Sequence, residues 1–328
     1  MSKRCTIVTY HYVRDLPNSS HPEIKGLLTS DFENQLNYLE RFYKFVTVDD
    51  CIEAIHKQSY LPNNAILLTF DDGYIDHYTT VFPILKQRGI QGCFYPPVKP
   101  ILENEVLDVN KIHFILATVS NVDELIIEIF SLMDAYRNKF SLKSNEYYFN
   151  KLAEDRRFDT KEVIFVKRLL QSELNKDLRN QIVDSLFKKH VTDKTKIFAE
   201  QLYMNTEQLK SMVIDGMHIG AHSYSHLWMD KLQPLEQEKE IDASISFLQS
   251  IGSPIENWTM CYPYGRFNKS LINVLEERNC AFALTTELGI STLNVENALK
   301  LNRIDTNDLP KDVNSEPNTW TQKIIDIK

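Results

Sequence analysis

The chain has 328 residues, of which 43% are hydrophobic and 25% are charged, and its formal net charge is −8. This length and apolar content exclude a disordered chain and predict one elaborated domain or two. The acidic balance and the scattered basic residues argue against a nucleic-acid partner, because binding to a phosphate backbone requires clustered Lys and Arg.

The N-terminal segment carries Lys3 and Arg4, but the apolar stretch of a secretory signal does not follow them. No run approaches the roughly 18 apolar residues that a membrane span requires, so we expect no membrane span. Five cysteines, an odd count without a C-x-x-C pair, fit a reducing compartment. We therefore expect a cytoplasmic protein. Its oligomeric state is left open by the sequence.

Short apolar runs alternate with helical patterns, and they fall at residues 5–10, 65–70, 91–95, 217–221, 258–262, 281–285 and 299–304. This alternation predicts an α/β fold, a distorted parallel (β/α) barrel of about seven strands. The capping-box pattern from Ser30 to Glu33 predicts a helix start, with Phe32, Leu36 and Leu39 as its core face.

Between residues 101 and 202 the apolar residues keep helical spacing only, which predicts an inserted helical subdomain. It enters on the loop side of a barrel, where it would form a lid or a wall of a cleft, or else a packing or oligomer surface. The predicted organisation is a first part of the barrel, a helical insertion, a second part of the barrel and a C-terminal tail, at residues 1–100, 101–202, 203–311 and 312–328.

Asp71-Asp72-Gly73 follows the apolar run at 65–70, so two carboxylates end a predicted buried strand. Neighbouring residues of a regular strand point to opposite faces, but Gly73 allows the chain to turn there. Such a break lets one carboxylate bind a cation while the other remains available as a proton acceptor. Alternatively, Asp-Asp-Gly is an ordinary surface turn.

His222 and His226 follow the run at 217–221 with i, i+4 spacing, which places both imidazoles on one side if the segment coils into a helical turn. With one Asp they supply the three His and carboxylate ligands that catalytic zinc commonly takes. Alternatively, each is a satisfied core or surface histidine, as we interpret His218. The zincin pattern is excluded, because Ser223 stands where that pattern has Glu.

The run at 258–262 leads into a turn that contains Pro263 and Gly265. Either the backbone N–H groups of this turn face a ligand, or its tyrosines Tyr262 and Tyr264 pack as core.

In chain order, these motifs resemble the polysaccharide deacetylase family, also called NodB-type or carbohydrate esterase family four. The residues that carry the resemblance are Thr69-Phe70-Asp71-Asp72-Gly73, His222-x-x-x-His226 and Tyr262-Pro263-Tyr264-Gly265, with Tyr10-His11 and the segment from Gly89 to Phe94. The likeness covers roughly residues 4–100 and 203–305. Three motifs in this order are far more specific than any one of them.

The resemblance implies a metal-dependent hydrolase that removes an N-acetyl group from an amino sugar. It implies Asp71 as the general base, and a divalent metal, usually Zn²⁺, bound by Asp72, His222 and His226. The metal lowers the pKa of water towards about 7, Asp71 takes the proton as water attacks the acetamide, and the backbone N–H of Tyr264 stabilises the oxyanion. The implied substrate contacts are those of the turn and of the last strand, at Tyr262, Pro263, Gly265 and Arg303.

The chain departs from the family pattern at two places. Cys261 stands where many members carry an arginine that holds the catalytic carboxylate, and Arg303, on the predicted last strand, is a candidate to replace it or else a solvated surface residue. No histidine follows His226, so the family's usual C-terminal general acid is missing. We take His11 as its substitute; alternatively His11 is structural, and Asp71 returns its own proton to the amine.

With no signal sequence, we expect an intracellular substrate, such as a nucleotide-linked or lipid-linked sugar or an oligosaccharide of glycan assembly. Two other functions stay open. One is hydrolysis of cyclic imides or N-formyl groups by the same metal-dependent chemistry. The other is a carbohydrate-binding barrel that has lost turnover along with the arginine and the histidine.

Overall fold

The computed structural model describes residues 2–57 and 59–325. Its strands are β1 Arg4–Tyr10, β2 Val13–Arg14, β3 Leu27–Leu28, β4 Lys44–Phe45, β5 Ala65–Asp71, β6 Gly92–Tyr95, β7 His218–Ile219, β8 Thr259–Cys261, β9 Phe282–Leu288, β10 Ser291–Thr292 and β11 Leu301–Asp305.

The α-helices are α1 Thr29–Phe42, α2 Val48–His56, α3 Phe82–Arg88, α4 Val98–Glu103, α5 Asp108–Thr118, α6 Val122–Tyr136, α7 Asn145–Leu152, α8 Lys161–Arg168, α9 Lys176–His190, α10 Thr195–Leu202, α11 Thr206–Ile214, α12 Pro234–Ser250, α13 Lys269–Glu277 and α14 Thr319–Ile325. Shorter 3-10 or π-helical segments lie at Leu16–Asn18, His77–Val81, Leu169–Glu173, Met229–Lys231, Pro263–Gly265, Ala298–Lys300 and Thr306–Asp308.

Seven parallel strands form a curled sheet in the order β7-β6-β5-β1-β11-β9-β8. A single backbone bridge joins its two ends: Ala221 N–H donates to the carbonyl of Thr259 at 2.9 Å, and Cys261 N–H donates to the carbonyl of Ala221 at 2.9 Å. Each of the seven apolar runs predicted as strands overlaps one of these strands. The predicted distorted (β/α) barrel of seven strands is confirmed.

Apart from the exposed carboxyl end of β9, the barrel strands are buried along most of their length, which explains their near-continuous apolar sequences. Every residue of β5 is buried. Aromatic rings from neighbouring strands stack on each other: the ring of Phe70 lies 5.0 Å from that of Tyr10 and 4.9 Å from that of Phe94. These large rings fill the space between the strands that carry the motifs at their carboxyl ends.

Helix α1 buries Phe32, Leu36 and Leu39 as its spacing predicts, but the predicted capping box at its start is wrong. The helix begins at Thr29, directly after β3, and its N-cap residue Leu28 makes no side-chain cap bond. Ser30 is therefore already inside the helix, because pairing of β3 with β2 fixes the entry of the chain. A genuine capping box occurs at α2, between Thr47 and Asp50.

The chain divides into two compact units. One contains the barrel and is formed by residues 1–15, 26–104 and 200–328; the other is helical and is formed by residues 16–25 and 105–199. The helical unit thus takes in a short N-terminal segment that the predicted insertion at 101–202 did not include. In the segment predicted as a tail, α14 buries Thr321 and Ile324.

Within residues 2–57 and 59–325, the structure contains no helix with the length and apolar character needed to cross a membrane.

Candidate active site

The motif residues meet at one rim of the barrel, because the carboxyl ends of parallel strands lie on the same side. β5 ends at Asp71, β1 is followed by His11, β7 by His222 and β8 by Tyr262. Asp71 and Asp72 are both buried, with 2% and 4% of their surfaces exposed. Two like charges at such depth each require compensation.

The pleat of β5 breaks at Asp72, which has a φ of 73°. This left-handed conformation separates the two carboxylates, as expected, although the break begins one residue before Gly73. Gly73 follows with a φ of 67°, and a Cβ there would lie 2.6 Å from the Cβ of Pro96. Only glycine therefore fits at this position.

Asp72, His222 and His226 converge. The Oδ1 atom of Asp72 lies 3.4 Å from the Nε2 atom of His222 and 3.2 Å from that of His226, and the three potential ligand atoms all lie within 4.8 Å of one another. Burial alone would raise the pKa of Asp72, but its hydrogen bonds with the two histidines hold that pKa well below its usual value. An ionised carboxylate facing two imidazoles is a donor set that fits a divalent cation such as zinc.

The two histidines meet without the predicted helical turn. Ser223 and His226 have φ values of 58° and 55°, so the segment forms an irregular loop, and His226 N–H donates to Ser223 Oγ at 2.9 Å. The backbone N–H of Ser225 donates to the carboxylate of Glu240 on α12 at 2.7 Å. The loop is therefore shaped by local hydrogen bonds rather than by a helical repeat.

Two hydrogen-bond contacts orient the candidate ligands His222 and Asp72. The imidazole Nδ1 of His222 lies 2.7 Å from the carbonyl oxygen of Cys261, and the hydroxyl of Tyr74 donates to Asp72 Oδ2 at 2.6 Å. Because a carbonyl only accepts, Nδ1 of His222 carries the proton in this contact, while Nε2 faces Asp72. The Nδ1 atom of His226 is buried and has no hydrogen-bond partner within the described residues.

Asp71 is compensated differently. Arg303 donates from Nη1 to Asp71 Oδ1 at 2.9 Å and from Nη2 to Oδ2 at 2.7 Å, which is a bidentate ion pair. Burial would raise the pKa of Asp71, but the charge and hydrogen bonds of Arg303 outweigh it and hold that pKa far below its usual value. The structure therefore places Arg303 on the carboxylate that the family's missing arginine would hold.

Arg303 is also predicted as a substrate contact, but its surroundings favour a role inside the barrel. The residue is 2% exposed, and its remaining donors bind Thr69, the carbonyl of Thr285 and the sulfur of Cys261. All of its N–H groups are thus engaged inside the barrel. We assign Arg303 to the orientation of Asp71.

A second group of potential ligands, formed by Asp71, His222 and Cys261, also lies within 4.8 Å. Its carboxylate is already paired with Arg303, whose Nη2 atom is 3.1 Å from the sulfur of Cys261. Two unit positive charges 4 Å apart repel by about 4 kcal/mol at an effective dielectric constant of ~20. A cation is therefore favoured at Asp72, His222 and His226 instead.

The turn after β8 departs from the sequence prediction for two of its side chains. Tyr262 and Pro263 are buried, and the hydroxyl of Tyr262 donates to the carbonyl of Leu299 at 2.9 Å, so these two side chains, predicted to contact a substrate, pack inside the protein. Gly265 has a φ of 66°, and a Cβ there would lie 2.1 Å from Thr286 Oγ1. Gly265 serves the turn, at a partly exposed position.

Tyr264 lies beside the candidate metal site. Its φ is 57°, and its ring lies 4.8 Å from the ring of His226. Of the motif residues, Asp72, His226 and Tyr264 all adopt the left-handed conformation, which costs about 1–2 kcal/mol for a residue with a Cβ. Strain of this kind persists where the surrounding structure holds it, as it does at many functional sites.

His11 lies on the surface at the same rim, directly after β1. It is a minor contributor to the lowered pKa of both Asp71 and Asp72. Its carbonyl oxygen is 2.8 Å from Nε2 of the buried His77. The structure thus brings His11 to the site as an exposed side chain held through its backbone.

Sequence reasoning missed Trp228 at the rim and the contact of Tyr74 with Asp72. Tyr74 binds Asp72, and the ring of Trp228 stacks on that of Tyr264 with centroids 4.7 Å apart. Each stands two residues after a candidate metal ligand, and that position was the only available signal.

The family model described as polysaccharide deacetylase matches residues 173–283. The match contains both histidines and the turn at 262–265, and the structure adds the Asp71-Asp72 pair to them at one rim. Over these residues the chain is similar to the polysaccharide deacetylase family. A poly-beta-1,6-N-acetyl-D-glucosamine N-deacetylase of Escherichia coli K12 is 36% identical to it over 80 residues, which are 24% of this chain and 12% of that protein. The chain thus aligns with only a small part of this relative.

Solved structures share this fold over almost the whole chain. The deacetylase PplD of Streptococcus pyogenes superimposes with a TM-score of 0.52 and 18% identity, covering 92% of each chain. IcaB from Ammonifex degensii gives a TM-score of 0.53 and 17% identity, covering 98% of this chain and 96% of its own. At these identities the likeness concerns the fold.

Proposed function

We propose that this protein is a metal-dependent hydrolase that removes an N-acetyl group from an amino sugar in a polysaccharide, an oligosaccharide or an activated sugar precursor. The observation that carries the proposal is the convergence of Asp72, His222 and His226 beside a second carboxylate, Asp71, that is paired with an arginine. The family, and the acetylated amino-sugar polymer in its relative's name, support this substrate class.

Asp72, His222 and His226 would hold the cation, most favourably Zn²⁺ for this set of one carboxylate and two imidazoles. When bound, the cation supplies Lewis-acid polarisation of the acetamide carbonyl and lowers the pKa of water, which a base as weak as Asp71 requires.

The chain's own groups divide the remaining work. The Asp71 carboxylate accepts the proton of the attacking water, and Arg303 keeps that carboxylate ionised and oriented. The backbone N–H of Tyr264 donates to the oxyanion that forms from the acetamide carbonyl; one such donor is worth about 3–4 kcal/mol. His11, exposed at the rim, is the proposed proton donor to the leaving amine.

The test is amine release from N-acetylated sugar oligomers and from nucleotide sugars. Metal-free protein, zinc-restored protein and the Asp71→Asn variant are compared. We expect release that requires zinc and that Asp71→Asn reduces by at least ~10²-fold, the usual scale of a general base.

Asp76→Asn is the matched control, because Asp76 is also buried and paired with an arginine, Arg14, at 2.7 Å. We expect it to retain activity. Zinc binding without release of amine from any substrate would sink the deacetylase proposal in favour of a carbohydrate-binding barrel. Release from cyclic imides or N-formyl compounds alone would assign the related hydrolase activity.

We also propose that the protein works in the cytoplasm. All five cysteines are free and buried, which supports a reducing compartment. Cell fractionation tests this, and recovery of the native protein outside the cell membrane would contradict it.

A further inference from the structure

Trp228 belongs to none of the motifs, yet it contacts the residue on which oxyanion stabilisation depends. Its ring is stacked on the ring of Tyr264, with centroids 4.7 Å apart and an interplanar angle of 20°. The ring of Tyr264 in turn lies edge-on to His226 at 4.8 Å. The three aromatic side chains form a row from the candidate metal ligand outwards.

Tyr264 needs such a contact because of its backbone. Its φ of 57° is unfavourable for a residue with a Cβ, and Gly265 continues the left-handed turn at 66°. Gly265 N–H donates to the carbonyl of Tyr262 at 2.8 Å, which closes the turn. The direction of the Tyr264 N–H then depends on keeping this strained residue in place. The packing of Trp228 on the Tyr264 ring can stabilise that conformation.

Trp228 is itself anchored. The ammonium of Lys231 lies 4.9 Å, and the guanidinium of Arg266 5.7 Å, from the centre of its ring. Arg266 also pairs with Asp230 at 2.9 Å, which ties the loop that carries His226 to the turn that carries Tyr264. Because Tyr264 and two cations already pack on the ring, Trp228 is better suited to supporting its neighbour than to stacking on a pyranose.

We propose that Trp228 is a positioning residue that holds the backbone N–H of Tyr264 where the oxyanion forms. The catalytic part of this inference rests on the proposed deacetylase function. The proposal implies that Trp228 affects kcat through its contact with the Tyr264 ring. Substrate binding should depend little on Trp228.

The experiment compares Trp228→Ala, Trp228→Phe and Tyr264→Ala with the double variant of Trp228→Ala and Tyr264→Ala, in zinc-loaded protein. We expect Trp228→Ala to lower kcat about tenfold, a fraction of the ~10²–10³-fold effect of losing an oxyanion donor, with KM within about twofold. Trp228→Phe should restore most of kcat. In the Tyr264→Ala background, Trp228→Ala should change kcat by less than about twofold, because the contact is already gone.

Trp320→Ala is the matched control. Trp320 is also half-buried and carries a cation, the ammonium of Lys323, 4.2 Å from its ring centre, but it lies on α14. We expect unchanged kcat in this variant, assayed below its unfolding midpoint. A kcat of Trp228→Ala within twofold of wild type, or an equal loss in the Tyr264→Ala background, would overturn the proposal.

A second readout does not require turnover. Hydrogen exchange of the backbone amides at residues 264–266 should accelerate at least about tenfold in Trp228→Ala and stay unchanged in Trp320→Ala. Unchanged exchange in Trp228→Ala would also overturn the proposal. If exchange accelerates while wild-type protein deacetylates no substrate, the proposed function fails but the hold of Trp228 on Tyr264 stands.

Discussion

Asp71 and Asp72 are neighbours in the chain and are about equally buried, yet only one of them receives a permanent positive charge from the protein. Asp71 is gripped by both Nη atoms of Arg303, whereas Asp72 faces two imidazoles and one tyrosine hydroxyl. The difference teaches how one strand end serves two purposes. The compensated carboxylate is fixed as a proton acceptor, and the other is left to a cation.

The largest effect should come from removing the permanent charge. Arg303→Met leaves Asp71 buried without a partner, so the free energy of unfolding should fall by about 3–5 kcal/mol. Arg278→Met is the control, since Arg278 pairs with the half-exposed Asp242 and should cost under ~1 kcal/mol. Urea unfolding of metal-free protein measures both. Equal losses in the two variants would refute the distinction between the carboxylates.

Zinc binding should distinguish the roles of the two aspartates directly. A ligand that binds only the folded state, at a concentration 1,000 times its Kd, stabilises a protein by about 4 kcal/mol. We expect this gain in wild type and in Asp71→Asn, and its loss in Asp72→Asn. Unfolding with and without zinc measures it. Retained zinc stabilisation in Asp72→Asn would place the cation elsewhere.

His218 offers a comparison with the ligand histidines on the same segment. Burial lowers the pKa of His218 to about 4, and its Nε2 atom lies 2.7 Å from the hydroxyl of Thr259. The neutral form is kept in the folded state, so its contribution is complete above the unfolded pKa of about 6.5 and is lost as the pH falls to about 4. The loss amounts to roughly 3 kcal/mol.

The measurement is the free energy of unfolding of metal-free protein between pH 7 and pH 4.5, for wild type and His218→Asn. Contributions of the ligand histidines cancel in the difference between the two proteins. We expect the stability of wild type to fall more steeply on acidification. Parallel curves would show that His218 titrates normally.

The smallest effect concerns the orientation of Asp72. Tyr74→Phe removes the hydroxyl that donates to Asp72 Oδ2 and should weaken zinc binding about 10–100-fold. Zinc titration against a competing chelator measures this. Tyr43→Phe is the control, because its hydroxyl also donates inside the barrel unit, to Thr321. An unchanged zinc affinity in Tyr74→Phe would mean that Asp72 is oriented by its backbone alone.

Sequence predicted the features that arise locally. The apolar runs identified the seven barrel strands, since parallel strands are buried on both faces, and the motifs at their ends indicated Asp72, His222 and His226 together. The pairing of Arg303 with Asp71 could be suggested only as one of two possibilities. It depends on β1 lying between β5 and β11, which brings together residues that are far apart in the chain.

Backbone conformation and side-chain direction were beyond the sequence. The i, i+4 spacing of the histidines suggested a helical turn, but left-handed residues and a hydrogen bond to Ser223 shape that loop. Tyr262 belongs to a motif, but its side chain lies in the core. In both cases the conformation is determined by tertiary packing, which the spacing of residues in the sequence does not reveal.

The bridge at Ala221 also bears on how the protein would lose activity. The bridge lies next to the candidate metal site. His222 directly follows Ala221, and the carbonyl oxygen of Cys261, whose N–H takes part in the bridge, contacts the His222 ring. A barrel closed by two backbone hydrogen bonds opens there more readily than its long paired strands separate. Mild denaturation should therefore inactivate the protein while most of its strands remain paired. Loss of activity would then report the opening of the barrel at the Ala221 bridge before global unfolding.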